Sequence, residues 1–97
     1  MNQLTFEWDT LKNTSNLKKH GIDFEEAKTV FSDEFGRLIP DPEHSEGEER
    51  FILLGTSSQH HLLIVCHCEI NSDCIRLFSA RKAEKFERKI YEDNCHA

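Results

Sequence analysis

Arg76, Arg81, Lys82, Lys85, Arg88 and Lys89 crowd into one stretch of the chain, opposed there only by Glu84 and Glu87. A guanidinium offers a planar fork that grips two oxygens at once, so arginines gathered this way suit an anion such as phosphate. Two other short groups bring proton chemistry. Lys19-His20 precedes Gly21, and an imidazole takes or gives a proton near neutral pH. Glu49-Arg50 pairs a possible carboxylate base with a cation. The bland counterparts carry comparable weight. Lys19 and His20 also suit the C-terminal end of a helix. Glu49 fits the end of a solvated loop, and Arg76 fits an ion pair on a sheet surface. The hydroxyls of Ser79 and Tyr91 can donate to phosphate or simply satisfy the core.

The formal net charge of the 97 residues is −6, which argues against a general nucleic-acid binder, normally basic overall. The imbalance is local: Asp41, Glu43, Glu46, Glu48 and Glu49 follow one another with no Lys or Arg between them. A basic surface elsewhere on such a chain can still hold phosphate, with weak non-specific binding. Cys66, His67, Cys68 and Cys74, with His60, His61, Cys95 and His96, invite a zinc reading. However, Cys66 and Cys68 share one side of a strand while His67 takes the other, and their spacing is one residue short of the usual Cys-x2-Cys. No metal and no cofactor is therefore expected, and the two thiols read as small apolar groups. Met1–Trp8 is polar, so no secretory leader is expected, and no apolar run approaches membrane-spanning length. Cytoplasmic, reduced cysteines are the expectation.

The elements that must position these residues follow from periodicity and capping. Thr5–Trp8 alternates like a first strand. Asp9 can cap a helix reaching about Lys19, with Gly21 as its stop, although Leu11 and Leu17 are its only large apolar residues. Asp23, with Glu26 three residues on, opens a second helix through a capping-box-like pattern, and Phe24, Ala27, Val30 and Phe31 form its stripe. Ser32 to Gly36 ends it. Arg37–Pro40 reads as a short strand and Asp41–Glu49 as a loop. Arg50–Thr56 and His61–Cys68 are strand-length apolar runs joined by a turn at Ser57–His60. Asn71 to Asp73 turns again into a last strand, Cys74–Ala80. Lys82–Asn94 is a closing helix with Ala83, Phe86 and Ile90 on one face, and Lys82, Lys85 and Lys89 on another. Trp8, Phe24, Phe31, Phe78 and Phe86 read as core. The predicted class is α+β: a small antiparallel sheet of three or four strands, two N-terminal helices and one C-terminal helix, in one domain over residues 1–97. By period two, Arg76 points away from Arg81, and both serve one site only if a twist or bulge intervenes.

Several segments together resemble the BrnT family of toxins. They are Phe6-Glu7-Trp8-Asp9; Lys19-His20-Gly21-Ile22-Asp23-Phe24-Glu25-Glu26-Ala27; Asp41-Pro42-Glu43-His44-Ser45; Glu48-Glu49-Arg50; and Ile75-Arg76-Leu77-Phe78-Ser79-Ala80-Arg81-Lys82-Ala83, with Glu87, Arg88 and Tyr91 beyond. Their order and spacing cover about residues 5–92. The resemblance implies a RelE-like fold, metal-independent cleavage of RNA and growth arrest by inhibition of translation. It also implies a cognate antitoxin with a ribbon-helix-helix DNA-binding region, the complex repressing its own operon, so that operator DNA is met only through the antitoxin.

Cleaving RNA without a metal uses the substrate's 2′-hydroxyl as nucleophile. A base removes its proton, an acid protonates the leaving 5′-oxygen, and cations hold the charge that builds on phosphorus. Through the resemblance, Arg81 is the first candidate for that last task. His20, Glu49 and Arg76 complete the candidate catalytic set, and Lys19, Arg50, Ser79, Lys82 and Tyr91 the candidate RNA-binding set. One departure supports an alternative: family members commonly carry an Arg where Ile70 stands here. That change favours a catalytically impaired toxin fold acting as antitoxin-binding partner and co-repressor.

Overall fold

The computed structural model describes residues 4–41, 43 and 47–95. Its five strands are β1 (Thr5–Glu7), β2 (Arg37–Pro40), β3 (Arg50–Thr56), β4 (Leu62–Asn71) and β5 (Cys74–Lys82), lying side by side in the order β1-β5-β4-β3-β2. Strands β2 to β5 pair antiparallel, as their short connections require. Strand β1 adds a parallel edge beside β5, an addition to the expected all-antiparallel sheet. The helices are α1 (Thr10–His20), α2 (Phe24–Ala27), continued by a 3-10 turn over Lys28–Ser32, and α3 (Lys85–Cys95). The α+β arrangement of two N-terminal helices, sheet and C-terminal helix is the one expected. Of the Asp41–Glu49 loop, residues 42 and 44–46 lie outside the described residues, as does His96.

The sheet separates two apolar layers. On one face Ile22, Phe24, Ala27 and Val30 pack on Leu53, Leu63, Val65, Leu77 and Ala80, with Phe6, Trp8 and Phe31 at the margin. Each large side chain buried there stabilises by roughly 1.5–3 kcal/mol. His67 belongs to this layer, edge-on to Phe31 at 4.8 Å, and burial pushes its imidazole below the usual His range, so it sits neutral in the core. On the other face Leu54, Leu62 and Ile64 meet Ala83, Ile90 and Tyr91 around α3. Phe86, expected on that packed face, is 61% exposed. The helix begins at Lys85 because β5 runs on through Lys82, which pairs with Leu63. Lys82 therefore shares no helical face with Lys85 and Lys89.

The second helix is also shorter than its stripe suggests. After Ala27 the chain tightens to 3-10 geometry, which brings residues three apart into line. Ala27 and Val30 are both fully buried as a result. Gly55 accommodates this turn: a Cβ there would meet Val30 Cγ1 at 2.7 Å. The expected capping box is only half formed. Asp23 accepts from the Glu25 N–H, but Glu26 turns inward, where its carboxylate accepts from Ser57 Oγ at 2.6 Å and lies 2.7 Å from His61 Nδ1. That cluster fastens α2 to the β3–β4 turn.

Helix α1 is held by polar groups. Asp9 caps its start, Gly21 (φ 73°) closes it, and Lys18, Lys19 and His20 fill the last turn, where cations suit the helix dipole. Leu11 and Leu17 face solvent. The inward stripe is Asn13, Asn16 and His20. Asn16 Nδ2 donates to the Ala80 carbonyl at 2.8 Å and to the Ile22 carbonyl at 2.9 Å, and Asn16 Oδ1 accepts from the Ala80 N–H at 3.0 Å. Asn13 Oδ1 accepts from the Phe24 N–H at 2.9 Å. At the opposite corner, Asp33 accepts from Tyr91 Oη at 2.6 Å, the Thr56 N–H at 2.8 Å and the Phe35 N–H at 2.9 Å, which anchors α3 to β3. Partial burial alone would raise the Asp33 carboxyl; these three donors together hold it below the usual range. Burial and the Asp33 contact push Tyr91 up to about 12.

Two outcomes follow from these bonds. Asn16→Leu strands both backbone groups of Ala80 in a buried setting, so it should lose about 2–4 kcal/mol and lower the thermal midpoint by at least ~10 °C. An unshifted midpoint in circular dichroism would refute the pairing. Tyr91→Phe should lose about 1–2 kcal/mol near neutral pH. A lowered Asp33 gives stability that is present above its ordinary carboxylate range and lost as pH falls through its folded value. A raised Tyr91 gives stability kept below its ordinary value of 10 and lost as pH climbs toward 12. Urea denaturation of both proteins across pH should show the gap closing at each extreme; a gap independent of pH would contradict this assignment.

Candidate functional site

Strand register lays the charged residues out in rows. Arg50, Cys68 and Arg76 are cross-strand neighbours in one row; Ile52, Cys66 and Ser79 form the next; Leu54, Ile64 and Arg81 form the third. Residues directly opposite share a face, so Arg50, Arg76 and Arg81 stand on the same side of the sheet. The register between β4 and β5 shifts at Cys66/His67, so that Phe78 is the extra residue between the pairs made by Leu77 and Ser79. This bulge is the condition under which Arg76 and Arg81 can share a face, and it is met.

Beside the bulge lie two adjoining hollows. One, of about 300 Å³, is lined by Lys12, Asp41, Arg50, Ile52, Ile64, Cys66, Phe78, Ser79 and Arg81. The other, of about 250 Å³, is lined by Lys12, Ser15, Asn16, Lys19, His20, Phe78 and Ser79. They share Lys12, Phe78 and Ser79. The Phe78 ring, expected in the core, instead carries cations: the Arg50 guanidinium carbon lies 3.9 Å from its centroid and Lys12 Nζ 5.2 Å. Such contacts are attractive through the ring quadrupole, by roughly 0.5–1 kcal/mol at partly exposed sites. They gather positive charge around a floor that cannot neutralise it.

Among the expected residues, Arg81 and Arg50 thus line the first hollow, His20 and Lys19 the second, and Ser79 both. Arg76 shares their face but lines neither; its Nη1 donates to Glu7 Oε2 at 2.8 Å, as the ion-pair reading expects. Glu49 is exposed beside Arg50 and lines neither hollow. Tyr91 is committed to Asp33 and Thr56 at the far end of α3. Lys82 pairs with Leu63 and belongs to the opposite face from Arg81. Sequence reasoning overlooked Lys12 and Phe78. Lys12 was legible in principle, since Lys12, Asn16 and Lys19 fall on one helical face. Phe78 depends on the bulge, for which the sequence offers no sign.

Arg81 is tightly held. Its Nη1 and Nη2 donate to Glu87 Oε1 and Oε2, both at 2.8 Å, and Nη1 also donates to the Lys82 carbonyl at 3.2 Å. The Glu87 hydrogen bonds raise the Arg81 guanidinium above its usual value, and the Arg81 hydrogen bonds hold the Glu87 carboxyl below its own. Both are fully charged near neutral pH. Cys66, in the first hollow, is pushed up by burial and by Asp41, so it stays a thiol rather than a nucleophilic thiolate. Cys66 and Cys68 share a face and His67 takes the other. Among the described residues, no group of three or more His, Cys, Asp or Glu side chains converges as a metal site would need. Nor, among the described residues, is any helix long and apolar enough to cross a membrane.

The arrangement can bind a phosphodiester between arginines and a lysine and place an imidazole one hollow away. Comparisons with known proteins bear on the family and the fold. The family model for the ribonuclease toxin BrnT of type II toxin–antitoxin systems matches residues 8–87. The crystal structure of the Brucella abortus ribonuclease toxin BrnT, at 1.1 Å resolution, superposes with a TM-score of 0.64 at 21% identity, covering 88% of this chain and 100% of that one. That likeness shows the same fold. No curated protein sequence matches the chain significantly. With most of its length matched by the family model, the chain belongs to the BrnT family of ribonuclease toxins of type II toxin–antitoxin systems.

Proposed function

We propose that the chain is a metal-independent endoribonuclease whose active site is the pair of hollows around Phe78 and Ser79. The observation that carries this reading is the convergence of Lys12, Arg50 and Arg81 on one hollow, with His20 and Lys19 in the hollow that adjoins it. The scissile phosphate sits in the first hollow. Arg81 and Arg50 hold its non-bridging oxygens, and Lys12 and the Ser79 hydroxyl add donors. The substrate's 2′-oxygen attacks phosphorus, and the bond to the 5′-oxygen breaks. His20 carries the proton exchange, for which an imidazole suits neutral pH. The products are a 2′,3′-cyclic phosphate and a free 5′-hydroxyl. Cations pre-set around the phosphate stabilise the charge that develops, and losing one such donor typically costs 10²–10³ in rate.

As a type II toxin the chain has a cognate antitoxin and an RNA substrate. We take residues 1–97 as one RelE-like unit, acting in the cytoplasm, arresting growth by inhibiting translation. Its antitoxin carries a ribbon-helix-helix region, and the complex represses the operon. A second reading, a catalytically impaired toxin that serves as co-repressor, draws on Ile70. This residue is half-exposed near the end of β4, where the family resemblance implies an Arg.

The test is cleavage of a mixed-sequence RNA by the purified toxin with and without EDTA. Wild-type cleavage should survive the chelator and leave cyclic phosphate ends. Arg81→Ala should lower kcat by about 10²–10³. Lys12→Ala should lower kcat by up to about 10²-fold, the lower end for one removed donor, and His20→Gln by about 10²-fold or more, as for a removed proton carrier. Wild-type toxin that binds antitoxin but never cuts RNA would favour the co-repressor instead.

A further inference from the structure

Glu87 is one of the few carboxylates that the fold buries: it is 8% exposed, at the start of α3. It is fixed from two sides. Its Oε1 accepts from the Glu84 N–H at 2.8 Å, and the Glu84 carbonyl accepts from Arg88 N–H at 2.9 Å. This is the return arm of a helix cap, so the carboxylate has little freedom. Both its oxygens then face the Arg81 fork.

What Arg81 keeps is as informative as what it gives. A guanidinium has five N–H donors. Three are committed, two to Glu87 and one to the Lys82 carbonyl. Among the described residues, the Nε–H and the second Nη2 hydrogen bond nothing. Those two lie along one edge of the plane and form the other fork a guanidinium can offer to a pair of phosphate oxygens. Arg81 lines the first hollow, while the Glu87 side chain is only 11% exposed against 38% for Arg81. Glu87 does not cap the charge toward solvent; it occupies the end of the guanidinium and leaves a side for a ligand. Without it, a long side chain at a strand end would sample many rotamers.

We propose that Glu87 is a positioning residue for RNA cleavage: capped at the start of α3, it holds the Arg81 guanidinium in the one plane that presents its free edge to the phosphate hollow. The inference rests on the reading that Arg81 stabilises the transition state. It makes α3 part of the active site without any α3 residue touching substrate, because misplacement of a charged group by about an ångström can cost on the order of 10² in rate.

The test is a double-mutant cycle on the full chain, with kcat and KM measured on the same RNA well below the thermal midpoint of every variant. Glu87→Gln keeps an oxygen for the Glu84 N–H but cannot accept both guanidinium bonds. It should lower kcat by about 10- to 100-fold with little change in KM, and in an Arg81→Ala background it should cost less than twofold. Glu87→Ala should behave alike; if it does not fold, Glu87→Gln carries the test. The proposal is overturned if Glu87→Gln leaves kcat unchanged or raises it, or if it costs the same factor whether or not Arg81 is present. Full activity in Arg81→Ala would instead bring down the active-site reading beneath it, an outcome distinct from a silent Glu87→Gln in a chain where Arg81→Ala is dead.

Discussion

The side-chain amide of Asn16 bonds both backbone groups of Ala80, and the position of the first helix depends on that pair. Strand β1 covers only Cys74–Arg76 of β5, so further along, the outer edge of β5 has no strand partner among the described residues. Ala80 presents a donor and an acceptor there, in a setting where both must be satisfied. Asn16 supplies the complement and also reaches the Ile22 carbonyl just past the end of α1. A single amide thus closes a sheet edge, sets the helix against it and fixes the turn into α2. Because Lys12, Lys19 and His20 sit on the same helix, their distance from Ser79 and Arg81 is set by the same bonds. An apolar stripe would tolerate sliding. Three directional hydrogen bonds do not.

This explains why α1 was the weakest element in the sequence by hydrophobic pattern and yet is closely determined in the structure. Periodicity finds helices that bury Leu, Val or Phe; a helix that buries Asn13 and Asn16 gives it almost nothing to count. Its ends were legible, because Asp9 and Gly21 act through local backbone chemistry. The central strands were legible for the opposite reason: Leu53, Leu54 and Leu62 to Val65 bury their side chains on two faces. The site was legible only in part. Arg81, Arg50, His20, Lys19 and Ser79 do gather around one region, although they come from three segments. What could not be read was the register shift opposite Cys66. Strict alternation sends Arg76 and Arg81 to opposite faces; one inserted residue returns them to the same one, and lifts Phe78 out of the core into contact with Arg50 and Lys12.

The second face of the sheet is assembled from fewer apolar contacts than the first, and charged bonds make up the difference. Helix α3 rests on Leu54, Leu62 and Ile64, and is pinned at its far end by Tyr91 to Asp33 and Asn94 to the Phe35 carbonyl, and at its near end by Glu87 to Arg81. Pairs of this kind are weak sources of stability when exposed. Their value is geometric: they hold a helix at a set angle over a surface where an apolar layer alone would leave it loose. The buried Glu26 adds the same kind of pin to α2: its bonds to Ser57 and His61 fix to the β3–β4 turn a helix that Phe24 and Ala27 already anchor in the core.

The overall charge of −6 then reads as a device for specificity rather than an obstacle to RNA binding. Long-range attraction to a polyanion is set by net charge and is screened over about 8–10 Å in salt. Within that distance the local set decides: Lys12, Arg50 and Arg81 line the first hollow with Asp41 as its one lining carboxylate, while Glu48 and Glu87 pair with Arg50 and Arg81 from outside the lining. Glu87, which occupies one of the two forks of Arg81, lowers the local field while sharpening its direction. A chain built this way should not coat RNA indiscriminately. On the proposed reading of the site, such a chain would engage a strand only where a single phosphodiester can enter the hollow and meet all three cations together. The same economy bears on the antitoxin: a partner need not match the whole surface of the toxin to silence it, because a single anionic side chain seated between Lys12 and Arg81 would occupy the donors on which the proposed chemistry depends.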